Sequence, residues 1–306
     1  MHILNTIVPI FAVVALGWLA RRRRYIPTEF LAPANRLVYH LAIPAMIFRA
    51  ISKGTFSARF DVRVIVISLV AVLFMFVFAW CLGRVLRFRG GSLATFVQNA
   101  THGNLGYIGL AVAFYHLGET GLVRASIIAG FLIILQNFLS VCILQVQSQT
   151  IAWGQNLGRV LGKIALNPII LSAIAGIVFS VCRWPVPIVI GRSLDILGNL
   201  ALPTALLIIG ASLSFDLMRS EFAAVMCTGL LKLLALPFVG WSIYRFSGID
   251  PAVFLPGLIL LASPTATVTY VMAREMNGDT DFAVAAISFS TLVSALTFFI
   301  WLNIAG

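Results

Sequence analysis

Long apolar stretches alternate along this chain with short polar punctuation, at the spacing of helices that cross a bilayer. A helix needs about 20 consecutive apolar residues to span the hydrocarbon core. Bounded by charge, Gly or Pro, such runs predict spans over 3–20, 30–51, 62–86, 92–117 and 119–146. A second set falls over 165–182, 192–214, 219–245, 251–275 and 280–303. Between the sets, 147–164 (QSQTIAWGQNLGRVLGKI) is more polar and weakly amphipathic, and reads as a linker carrying an interfacial helix. The expected fold class is an all-α polytopic membrane protein of ten transmembrane helices, with one five-helix unit over 1–146 and a second over 165–306.

The two units repeat one another. LAIP at 41–44 recurs as LALP at 200–203, RFRG at 87–90 as RFSG at 245–248, and GET at 118–120 as GDT at 278–280. LNTI at 4–7 returns as LNPI at 166–169, and Ala94-x-Phe96 as Ala252-x-Phe254. All five matches keep their order at nearly constant separation, which marks an internal duplication. A repeat of five spans, an odd number, must enter the membrane from the opposite side in its second copy. The expected architecture is thus a 5+5 inverted repeat of the kind found in secondary transporters.

Two stretches disturb this apolar pattern at matching places. THGNLG at 101–106 and SPTATV at 263–268 both fall in the middle of the fourth span of their half. Pro264 removes an amide donor and clashes with the preceding turn, while Gly103, Gly106 and Gly109 each lower helix propensity by about 1 kcal/mol relative to alanine. Both spans are therefore expected to be broken. An interrupted helix in hydrocarbon exposes backbone groups at a cost of several kcal/mol each, so such breaks survive only where protein or a water-filled cavity satisfies them. Two of them at one depth would cross, and each half-helix N-terminus would attract an anion. The polar residues able to complete a site are Asn99, His102 and Asn104 beside Gly103, and Ser263, Thr265, Thr267 and Thr269 beside Pro264.

Elsewhere, polar residues inside spans are few. Lys232, in LLKLLALP, is a charge deep within the membrane and a candidate for a coupling or charge role. Gln136 and Asn137 in the fifth span are candidates to line a cavity or to link helices, and His40 to bond the kinked backbone beside LAIP. Glu119, Asp279 and Asp281 sit at span ends, and no acid is expected deep in a span, which argues against a paired-carboxylate antiporter.

Composition agrees. Of 306 residues, 60% are hydrophobic and only 10% charged, where a soluble domain carries about a quarter. The net charge of +11 lies largely in loops such as Arg21 to Arg24, where it anchors an anionic leaflet and implies no nucleic acid. That arginine run predicts a cytoplasmic first loop, with both termini on the non-cytoplasmic side. The first span, followed by arginines and by no small-residue cleavage site, reads as a retained helix. Four scattered cysteines (81, 142, 182 and 227) lack metal or disulfide spacing, and no cofactor or metal is expected. The chain shows no nucleotide motif, no HExxH and no nucleophile elbow, so it is not expected to be an enzyme.

NLGYIGL at 104–110, followed by HLGETG at 116–121, resembles the fourth-to-fifth span signature of the auxin efflux carrier family. LASPTATVTYVMAREMNGDTDFAVAAISFSTLVS at 261–294 resembles the ninth and tenth spans of that family. The resemblance implies a carrier of anionic organic acids in the inner membrane, with a fold similar to bile-acid symporters and sodium/proton antiporters. Spans one, two, six and seven would form a scaffold and a homodimer surface, and the others a transport domain. It maps the family's crossover asparagine onto Asn104, its crossover proline onto Pro264, and the scaffold wall onto Met46 and Ile47. Plant members carry Asn-Pro-Asn where this chain has His-Gly-Asn, and often a longer linker. Both departures bring it nearer to bacterial members, for which a dicarboxylate such as malate or malonate is a plausible substrate; an aromatic or branched monocarboxylate stays open. Two alternatives remain at this stage, a sodium-coupled symporter of the bile-acid type and a non-transporting membrane sensor or scaffold.

Overall fold

Runs of Leu, Ile, Val, Phe and Ala with few backbone-breaking residues fold as helices, because in lipid a helix satisfies every amide within its own segment. The computed structural model describes residues 2–53, 61–147, 166–220 and 222–305, so nearly all of the predicted linker lies outside them. Among the described residues the regular structure is helical, with no strand.

Among the described residues, six segments are long and apolar enough to cross a membrane: Ile3–Arg22, Val62–Val85, Leu105–Val146, Ile188–Ala211, Phe222–Phe246 and Thr280–Ala305. Leu105–Val146, at 42 residues, is twice the length one crossing needs. It is divided at Gly118, whose φ of 70° and ψ of −162° suit glycine alone. Two shorter apolar helices cover Pro168–Val181 and Pro251–Leu261. On Val62–Val85, Val66, Val70, Phe74, Val77 and Phe78 form one exposed apolar stripe at helical spacing, a surface suited to acyl chains and not to water.

The chain divides into two compact units. The first comprises Met1–Asp61, Gly106–Gly130 and Lys163–Ser212. Within it, α1 (His2–Arg22) is followed by α2 (Thr28–Leu37) and α3 (Ile43–Lys53). The later α7 (Pro168–Val181), α8 (Ile188–Asn199) and α9 (Ala201–Ala211) pack back onto these, α9 along α1 and both α7 and α8 against α3. Asn167 starts α7 as an N-cap, its Oδ1 accepting from Ile169 N at 2.9 Å.

The second unit comprises Val62–Leu105, Phe131–Gly162 and Leu213–Gly306. It holds α4 (Val62–Val85) and α5 (Gly90–Thr101), while α6 (Leu110–Gln147) runs from the first unit into the second. The rest of the second unit is α10 (Phe215–Ser220), α11 (Phe222–Leu230), α12 (Leu236–Phe246), α13 (Pro251–Leu261), α14 (Val268–Glu275) and α15 (Thr280–Ala305). Tyr244 on α12 is buried there, its Oη 2.6 Å from Ser68 Oγ on α4 and its ring stacked 5.0 Å from Phe254. The hydroxyl has its hydrogen-bond partner, as a buried phenol requires.

Two wide helical turns, Val38–Ala42 and Leu231–Ala235, each end just before a proline, Pro44 and Pro237. In each an amide reaches back five residues, Ile43 to Val38 O and Leu236 to Leu231 O. A proline has no N–H for the carbonyl four residues earlier. For Pro237 that carbonyl belongs to Leu233, and it accepts instead from Trp301 Nε1 at 2.8 Å. Such wide turns recur at functional positions, and this one carries Lys232.

Candidate functional site

Both expected interruptions are present, in the second unit. α5 stops at Thr101 and the chain is not helical over His102–Asn104 before a turn at Leu105–Gly109. α13 stops at Leu261 and helix resumes at α14, Val268. The two breaks are partners. Gly103 and Thr265 form an isolated antiparallel bridge, with Asn104 N donating to Pro264 O at 2.7 Å and Ala266 N donating to His102 O at 3.0 Å. Backbone groups released by one break are thus satisfied by the other, as burial in hydrocarbon demands.

Neutral side chains supply the remaining bonds. Gly103 N donates to Gln136 Oε1 at 3.2 Å, and Thr265 N to Ser290 Oγ at 3.0 Å. Thr265 Oγ1 donates to Asn99 O at 3.0 Å, and His102 Nδ1 shares a 2.9 Å hydrogen bond with Ser140 Oγ. Ser263 and Thr269 turn back onto Leu260 O and Ala266 O of their own strand of chain. Lys232, 0% exposed, donates from Nζ to Leu261 O at 2.8 Å, capping the carbonyl end of α13. Asn99, also 0% exposed, has neither Oδ1 nor Nδ2 bonded among the described residues. An amide buried in that state is suited to an outside partner.

The expected residues therefore separate. Asn99, His102, Gly103, Asn104, Ser263, Pro264, Thr265, Gln136 and Lys232 all fall in the second unit at or against the paired breaks, and half-buried Thr267 precedes α14. Asn137 instead returns its amide to Ile133 O at 2.9 Å on its own helix. Met46 and Ile47 belong to the first unit, where Ile47 is buried and Met46 lines a cavity of about 160 Å³ with Arg49, Lys53, Tyr115, Glu119 and Asp195. Ser140 and Ser290 also bond into the breaks, and sequence reasoning missed both. A lone serine in a span ordinarily bonds its own helix, so neither carried a signal.

The expectation that acids keep to span ends needs one correction. Asp195 lies inside the apolar segment Ile188–Ala211. Its Oδ1 accepts from Arg49 Nε and from Lys53 Nζ, both at 3.0 Å, so the charge is neutralised locally. His40 is exposed and sits edge-on to Tyr39, ring centroids 5.2 Å apart.

A family model described as membrane transport protein matches residues 2–152 and 154–302. The chain belongs to that family. This is the auxin efflux carrier group to which the glycine-rich signatures pointed, and membership indicates a membrane transporter. Among similar members of the family is a protein of Rhizobium meliloti named "Putative malonate transporter", 26% identical over 97% of this chain and 93% of its own. Another is an uncharacterized transporter of Methanothermobacter thermautotrophicus, 23% identical over 97% of this chain and 96% of its own. A third, from Methanocaldococcus jannaschii, is 21% identical over 97% of each.

Proposed function

We propose that this membrane transporter is a secondary carrier of small organic carboxylates, with the carboxylate received at the paired breaks of the second unit. The observation that carries the reading is the exchange of backbone bonds around Gly103 and Thr265, deep in apolar chain. Irregular backbone at membrane depth is tolerated only where protein or a cavity satisfies it, and carriers place their substrate sites at such discontinuous helices. Asn104 and Thr265 are the side chains assigned to the guest, with His102 tuning the charge around it. The relative named for malonate supports a dicarboxylate as substrate.

The same proposal takes the chain as ten spans in a 5+5 inverted repeat. A scaffold of spans one, two, six and seven pairs into a homodimer, and a transport domain of the remaining spans alternates between the two faces of the inner membrane. Both termini lie on the non-cytoplasmic side. Counterflow of labelled malonate into proteoliposomes tests the site. Wild-type protein is expected to exchange, and Asn104→Leu to reduce exchange at least about tenfold, equivalent to about 1.4 kcal/mol of lost interaction. Unchanged exchange by the leucine variant would remove the site from the breaks.

A further inference from the structure

A helix broken once presents both of its ends at the break. The carbonyl end carries roughly half a negative charge and the amide end roughly half a positive one. Two paired breaks therefore sum to about zero, and the dipoles alone favour an anion no more than a cation. The side chains bonded into the breaks, Gln136, Ser140, Ser290 and Thr265, are uncharged as well. A preference for negative solutes needs another source.

Lys232 supplies one. Its ammonium is bonded to Leu261 O, on a negative end. Its Cε would lie 3.3 Å from a Cβ built on Gly103, so the lysine stem runs directly against the bridging residue. No carboxylate pairs with Lys232 among the described residues. An ammonium has three donors, and the carbonyl takes one. A neutral donor would cap that carbonyl without the several kcal/mol that burying an ion costs. The charge itself is what requires a role.

We infer that Lys232 is the residue that makes the paired breaks an anion site, and that it sets the preference for a doubly charged carboxylate over a singly charged one. The inference rests on the carrier reading above and deepens it. The lysine supplies the unit of positive charge that the paired dipoles lack, and its attraction grows with each carboxylate on the guest. Asn99, in the last turn of α5 with its side-chain amide unbonded among the described residues, is the neutral group that shares the guest.

The test is binding to purified full-length protein in nanodiscs, by calorimetry, of malonate, its monomethyl ester and malonamide. Wild type is expected to bind malonate tightest and malonamide weakest. Lys232→Gln keeps a hydrogen-bond donor for Leu261 O and drops the charge. It is expected to lose malonate affinity by at least about tenfold, with the malonate-to-ester ratio falling toward one. Lys232→Met gives the same reading should the glutamine variant not fold. A neutral variant that keeps both affinity and ratio overturns the role of Lys232 and leaves the carrier reading standing. Wild-type protein that binds none of the three overturns the carrier reading itself, and the inference with it.

Discussion

Gly103 lies so close to Ser263 that a Cβ on it would stand 2.6 Å from the serine Oγ. That oxygen is not free to swing away, because it donates to Leu260 O at 2.6 Å. The absence of a side chain at 103 is thus a condition of the bridge, and Gly103→Ala is expected to destabilise the protein by about 1–3 kcal/mol, as overpacking does. Thermal unfolding in detergent checks it, and an alanine variant that melts with the wild type would show that the breaks have slack.

Gln136 and Asn137 are neighbours in sequence and opposites in consequence. Removing the Gln136 carbonyl leaves the buried amide of Gly103 unpaired, and Gln136→Leu is expected to cost about 1–3 kcal/mol. Asn137 bonds only its own helix in the described geometry, so Asn137→Leu is expected to stay within about 0.5 kcal/mol of wild type. The pair of melting curves decides the point, since equal losses would mean that helix context and not the amide of Gly103 governs both.

Asp195 pairs with two cations, Arg49 and Lys53, from a position about one-third exposed. Solvent screening keeps such an arrangement weak, and Asp195→Asn is expected to cost no more than about 1 kcal/mol, less at high salt. A large loss that salt does not reduce would assign the aspartate a structural weight its exposure does not explain.

Much of the architecture was legible in the order of apolar and polar residues. Gly and Pro at 103 and 264 disfavour helix through backbone chemistry alone, and the structure interrupts both segments there. The repeat matched the two interrupted segments to each other in sequence, and the bridge between Gly103 and Thr265 joins them in space. Hydrogen-bond register depends on the local path of the chain, which a repeat of a few letters does not fix. Ser140 and Ser290 were hidden for the same reason, as their partners lie 38 and 25 residues away along the chain. Asp195 was misjudged because its neutralising cations come from α3, and only folding brings Arg49 and Lys53 to it.

The wide turn at Leu231–Ala235 amounts to one residue more than a regular helix would use over that stretch. One residue is about 100° of azimuth on a helical wheel. Everything from Leu236 onward is consequently phased differently from everything before Leu231, and Lys232 sits at the seam. Excising a single residue between 231 and 235 would remove that offset and turn Lys232 by the same angle relative to everything after Leu236.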